Sequence, residues 1–143
     1  MKRSYGEKTR CSGQWTEAKF NSFIKNGLRS MSRKWAPIHK VKTKARVARG
    51  LYLCNECKQH VEGTVVQVEK GRRKRVNNVF VDHINPIIDP KTGFTTWDDC
   101  IENMFAEEEG LQLLCGECHD KKSMEERRIT AEYRRERKEN GTL

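Results

Sequence analysis

Four cysteines fall in two C-x-x-C pairs, Cys54/Cys57 in "LYLCNEC" and Cys115/Cys118 in "LQLLCGECHDKKS", and His119 directly follows the second pair. A C-x-x-C turn points two thiolates at one ion, so two such turns can close a tetrahedral four-sulfur site of the structural zinc kind. Read alone, Cys115, Cys118 and His119 also spell the attachment signature of a c-type haem, and either pair alone matches a redox dithiol. Covalent haem attachment generally takes place outside the cytoplasm, and two pairs in one short chain favour a shared ion over two separate dithiols. The expectation is therefore zinc at Cys54, Cys57, Cys115 and Cys118. The 57 residues between the pairs exceed a compact finger, which makes the site a staple around an inserted segment. Zinc binding at such a site contributes on the order of 10 kcal/mol to folding. Cys11 and Cys100 have no partner at ligand spacing and read as an arm thiol and a small core residue. His60, three positions after Cys57, reads as incidental.

With its neighbouring cysteines assigned to zinc, His119 is left over, next to Lys121 and Lys122. The segment "VDHINP" supplies Asp82 and His83 at the end of an expected strand, where adjacent side chains point to opposite faces. One can bind a metal while the other faces a water. Phosphodiester hydrolysis needs a Lewis acid on the phosphate and the leaving oxygen, and a base for the water. A carboxylate and an imidazole as metal ligands, with a second imidazole as base, meet that need, and Lys122 can neutralise a phosphate oxygen. The competing reading has Asp82 and His83 capping a strand and His119 packed on the metal knuckle.

Several elements must position these residues. Residues 1–13 read as disordered. From Trp15 onward, Phe20, Phe23, Ile24, Leu28 and Met31 recur at helical spacing with Lys19, Lys25, Arg29 and Arg33 on the flanks, an amphipathic helix that Pro37 ends. "HKVKTKARVARG" follows as a basic connector of undetermined structure. "TVVQV" (64–68) and "NVFV" (78–81) read as two strands joined by a turn at "GRRKR", and residues 86–94 as a loop. "TTWDDCIENMF" reads as a short helix capped by Thr95 or Thr96, with Trp97, Ile101, Met104 and Phe105 facing inward. "LQLLC" is a last strand, and a charge-alternating helix runs from His119 to about Lys138. No internal repeat or low-complexity tract is present.

Hydrophobic residues make up 35% of the 143 and charged residues 34%, so the chain can bury only a small core, the kind that a metal commonly supports. No run approaches the roughly 18 apolar residues of a membrane span, and the basic N-terminus has no apolar stretch of a secretory signal. The expected setting is a reducing cytoplasm. The net charge of +9 is uneven: residues 1–50 hold 14 Lys/Arg against 2 Asp/Glu, and residues 51–143 hold 15 against 18. Such asymmetry points to an arm for a polyanion, nucleic acid above all, with a solubilising tail as the plain alternative.

The succession C-x-x-C, D-H-I-x-P and L-Q-L-L-C-x-x-C-H-x-x-K-S resembles the zinc-containing HNH endonucleases, in particular the small ones encoded by tailed bacteriophages. The pattern W-x-E-x-x-F-x-x-F-I-x-x-x-L-R, from Trp15 to Arg29, is similar to those phage proteins as well, so the resemblance spans about residues 15–125. It implies an α+β fold with a ββα-metal core, in which a β-hairpin and a helix clasp one divalent ion. The same resemblance makes Asp82 and His119 ligands of a catalytic Mg²⁺, Mn²⁺ or Ni²⁺, His83 the general base, and the four cysteines the holders of structural zinc. One departure is Gly110, where the family commonly has an Asn that orients the base; Asn85 and Asn103 are the candidates to replace it. The expected organisation is a basic arm and helix (1–50), a zinc-stapled nuclease core (51–126) and a charged helical extension (127–143). Lys40, Lys42, Lys44, Arg46 and Arg72, Arg73, Lys74, Arg75 are expected to hold the DNA backbone. By analogy, the protein would act in a bacterial host cytoplasm beside phage packaging proteins. The rival expectations are a zinc-stapled DNA-binding or adaptor module with a decayed nuclease centre and, more remotely, a purely structural phage component.

Overall fold

The computed structural model describes residues 6–141, which divide into two compact units, one up to Trp35 and one from Ala36. In the first, strand β1 (Lys8–Arg10) pairs with β2 (Trp15–Thr16) and leads into helix α1 (Glu17–Ser32). The expected disorder of residues 1–13 is corrected from residue 8 onward; residues 1–5 lie outside the described residues. The strand forms because Arg10 has partners: it bridges Glu17 at 2.9 Å and lies 4.3 Å from the centre of the Phe20 ring. The Thr16 side chain caps α1 by accepting from the Lys19 amide.

The second unit begins with helix α2 (Ala36–Ala45), where a connector of undetermined structure was expected. Pro37 does not continue α1, but it sits in the first turn of the next helix, where a missing N–H costs nothing. Strands β3 (Arg46–Ala48), β4 (Leu51–Leu53) and β5 (His60–Glu62) form a small antiparallel sheet. Strands β6 (Thr64–Glu69) and β7 (Arg72–Asn77) pair over six residues in unbroken register. The "GRRKR" segment is therefore not a turn: Arg72 to Arg75 are strand, and the turn is Lys70–Gly71, both at positive φ (50° and 74°). That is the primed two-residue geometry whose twist suits a hairpin, and Gly71 takes it without strain.

Strand β8 (Val79–His83) does not pair with residues 64–68, as the expected hairpin required. It pairs antiparallel with β9 (Leu111–Cys115), from Val79 opposite Cys115 to His83 opposite Leu111. Burial decides this: Val79, Leu111, Leu113, Leu114 and Cys115 are all buried, whereas Val66 and Val68 are exposed. Helix α3 (Trp97–Met104), capped by Thr96, buries Cys100 and Met104. Ile101, expected inside, is exposed, because the turn of the helix gives its place to Cys100. Helix α4 (Gly116–Glu139) starts three residues before its expected beginning, directly from β9, and runs unbroken to its end. Its last turns are pinned by Arg137, which donates to the carbonyls of Lys91 and Thr92 at 3.0 and 3.2 Å. Among the described residues no helix is long and apolar enough to cross a membrane. The architecture is mixed helix and sheet, with the core between β9 and the elements around it.

Candidate functional site

Cys54 follows β4 and opens a tight turn: its carbonyl accepts from the Lys58 amide and its amide donates to Gln59, both at 3.0 Å, with Lys58 at φ 58°. The Asn55 amide donates to the Leu113 carbonyl at 2.8 Å and ties this turn to β9. Cys115 ends β9, and Cys118 lies in the first turn of α4. The result brings the sulfurs of Cys54, Cys57, Cys115 and Cys118 within 4.8 Å of one another. A tetrahedron with metal–sulfur bonds of about 2.3 Å has edges of about 3.8 Å, so the cluster is of a size to hold one metal ion. Cys54 and Cys115 are buried and Cys57 is exposed, so one corner faces solvent.

The electrostatics of the cluster fit a cation. Burial alone would raise the Cys54 thiol. Backbone N–H groups of Cys115, Cys57 and Glu56 and the Cys57 thiol together outweigh it, and bring Cys54 down to about 6. The same burial, then hydrogen bonding with the other three cysteines, pushes Cys118 up to about 12. One thiolate is welcome and further ones repel it, which is the imbalance a divalent ion relieves. Cys11, Cys100 and His60 stay outside the cluster.

A second group of residues lies along the β8–α4 contact. Phe80 and Asp82 are two apart on β8 and share a face. The Phe80 ring stacks on His119 at 4.7 Å, and the Lys122 ammonium donates to Asp82 Oδ2 at 2.5 Å. His119, Lys122 and Glu126 are three and four apart on α4, so one helix face meets one strand face. Lys122 also donates to the His83 carbonyl and lies 3.1 Å from Glu126 Oε1. Burial pulls the Lys122 pKa down, but hydrogen bonds and charge from Asp82 and Glu126 win, and it ends above its ordinary value. The ammonium is therefore turned inward, toward carboxylates. Gln112, opposite Asp82 on β9, reaches Oδ2 as well at 3.5 Å, the outer limit of a hydrogen bond, and is itself held by Asn55 at 3.0 Å. Both contacts fall on Oδ2, which leaves Oδ1 as the oxygen suited to an ion.

His83 points to the opposite face of β8. Its Nε2 lies 2.8 Å from the Met104 carbonyl at the end of α3. A carbonyl only accepts, so Nε2 carries the proton and Nδ1 the lone pair. Asn103 Nδ2 donates to the Ile87 carbonyl at 3.2 Å, fastening the loop after His83 to the helix that holds the ring. Asn85 is exposed. At Gly110 the carbonyl accepts from the Ile84 amide at 2.9 Å, and an added β-carbon would meet the Ala106 β-carbon at 3.1 Å, so this backbone suits glycine better than asparagine.

The structure thus gathers Asp82, His119 and Lys122 on one face and sets His83 on the other. Of the expected DNA-binding residues, Arg72, Arg73, Lys74 and Arg75 are exposed on β7. Lys40 and Lys42 are exposed on α2, with Lys42 Nζ 5.9 Å from the centre of the Tyr52 ring. Lys44 is engaged with Glu108 at 2.6 Å, and Arg46 donates to the Ala48 carbonyl. Sequence reasoning missed Glu126, Gln112, Asn55 and the Met104 carbonyl. Glu126 was signalled by its four-residue spacing from Lys122; the carbonyl had no signal. Compared with protein-family models, curated proteins and solved structures, the chain matches none.

Proposed function

We propose that the protein is a metal-dependent endonuclease of the HNH type that hydrolyses phosphodiester bonds of DNA. In this reading β8, β9 and α4 are the two strands and the helix of a ββα-metal core. Cys54, Cys57, Cys115 and Cys118 hold a structural zinc, and Asp82 and His119 hold a catalytic Mg²⁺, Mn²⁺ or Ni²⁺. The bound divalent ion would supply Lewis-acid polarisation of the phosphate and charge stabilisation on the leaving oxygen.

The chain's own residues do the rest. His83, with Nε2–H fixed on the Met104 carbonyl, offers Nδ1 to a water and takes its proton as the water oxygen attacks phosphorus and the bond to the leaving oxygen breaks. Lys122 holds Oδ2 of Asp82 and thereby orients Oδ1, a positioning role ahead of the phosphate contact expected for it. Exposed Lys40, Lys42 and Arg72 to Arg75 supply sequence-independent attraction for the DNA backbone. The same resemblance extends the proposal to a phage protein working beside packaging proteins.

The single observation that carries the reading is the His83 ring held by a backbone carbonyl, with the lone pair on the other nitrogen, one residue along β8 from Asp82, a carboxylate on the opposite face whose second oxygen is unclaimed by Lys122. A second reading, a zinc-stapled DNA-binding module without nuclease activity, draws on the Lys122 ammonium standing against Asp82, where it could serve as a permanent counter-ion. Supercoiled plasmid incubated with the zinc-loaded protein and Mg²⁺, Mn²⁺ or Ni²⁺ separates the two. Conversion to nicked or linear forms that stops with chelator is expected. Binding without conversion under any of the three metals would leave the binding module.

A further inference from the structure

The β6–β7 hairpin has two chemically unlike faces. Residues opposite each other in an antiparallel pair share a face, as do residues two apart. One face therefore carries Thr64, Val66 and Val68 with Arg73, Arg75 and Asn77, and the other carries Val65, Gln67 and Glu69 with Arg72, Lys74 and Val76. Arg75 Nη1 donates to Thr64 Oγ1 at 2.9 Å, which confirms the first grouping. Val65 and Val76 are half-buried on the second face, against Thr64 alone on the first, so the second face is the one whose base turns more to the body of the unit. The first face is open: Val66 is 48% exposed and Val68 70%.

Two exposed valines opposite two guanidiniums, with no carboxylate on this face, make poor core and leave the positive charge of the face unneutralised. The second face mixes its cations with Glu69, which stands directly opposite Arg72. Charge complementarity thus assigns a polyanion to the first face. Its shape narrows the choice further. Six paired residues make a ribbon roughly 20 Å long, and strands about 4.8 Å apart with their side chains match a major groove about 12 Å wide. Guanidiniums read guanine O6 and N7 there, and aliphatic side chains pack on thymine methyls. The turn at Lys70–Gly71 is only two residues, so the leading end is narrow.

We propose that β6–β7 is a groove-reading ribbon, entering the major groove of duplex DNA with Val66, Val68, Arg73 and Arg75 toward the base edges. This deepens the proposed nuclease reading by giving the DNA contact a register and a base preference, and it rests on that reading for the identity of the polymer.

The test is methylation protection of guanine N7 in duplex DNA by the zinc-loaded protein with no added divalent metal, beside affinity measurements. The unmodified protein should protect guanines over about five or six base pairs. Arg73→Ala and Arg75→Ala should each lower affinity by roughly 5- to 100-fold and erase that protection. Arg72→Ala and Lys74→Ala, on the other face, should weaken binding evenly across sequences and keep the protected guanines. A duplex carrying 7-deazaguanine supplies the same deletion from the DNA side, free of any folding effect. Cleavage of plasmid with no N7 protection, or equal losses from both faces, would overturn the ribbon and leave the nuclease reading standing. Protection without cleavage would do the reverse. Association of the protein with itself that Val66→Asp and Val68→Asp abolish, with DNA binding unchanged, would make the face a protein contact and overturn the proposal.

Discussion

Two residues join β6 to β7, and the pair stands mostly in solvent; 27 residues separate β8 from β9, and that pair is the centre of the core. The first is a local hairpin whose register is set by its turn. The second is non-local, and closing the chain between its strands costs entropy that burial and the cysteine cluster must offset. The difference bears on where the proposed chemistry would sit. Asp82 and His83 are on the strand that burial and a metal can hold rigidly, while the basic residues are on the strand that is free to meet a polymer.

The largest expected effect comes from removing the staple. Cys54→Ser or Cys115→Ser, or stripping the proposed zinc with a strong chelator, should cost a large share of a binding energy on the order of 10 kcal/mol. Amide exchange should then speed up greatly along β8 and β9 and little along β6 and β7, which are already exposed. Equal loss of protection in both pairs would break the comparison. A smaller effect isolates packing: Leu114→Ala, at a fully buried position, should destabilise by about 2–5 kcal/mol, against about 0.5 kcal/mol or less for Val68→Ala on the ribbon. Thermal unfolding of the two variants checks this directly.

The elements that resist sequence reading are the ones whose partner lies far away or whose composition misleads. β9 and α3 are legible because "LQLLC" is an apolar run broken only by Gln112 and "TTWDDC" carries a cap with acids in the first turn. β7 is not legible: four consecutive cations have low strand preference, and only pairing against Val66 to Glu69 makes them a strand. α2 hides behind Pro37, which reads as a stop but here begins a helix. At the candidate site the two C-x-x-C pairs announce their own meeting, since four thiols in one chain invite one ion. The carbonyl that fixes the His83 tautomer belongs to Met104, whose side chain says nothing about it.

Lys122→Met gives an effect smaller again. It leaves Asp82 without its counter-charge in a partly buried place, the Asp82 side chain being 19% exposed, and should cost about 1–3 kcal/mol. Because the folded protein raises the Lys122 pKa, this contribution is complete below the ordinary value of 10.5 and fades as pH climbs through the raised one. Stability curves of the variant and the unmodified protein should therefore run parallel at neutral pH and converge only in strong alkali. Convergence near pH 7 would show that the ammonium is not held as described.

The central claim is that His83 is the base, poised by the Met104 carbonyl, and the single-turnover cleavage rate of His83→Ala at saturating Mn²⁺ tests it most directly. The account predicts a rate lower by about 10²–10⁴ with zinc content, fold and DNA affinity retained, and no recovery as Mn²⁺ is raised further. His83→Ala cutting at the full rate would contradict it.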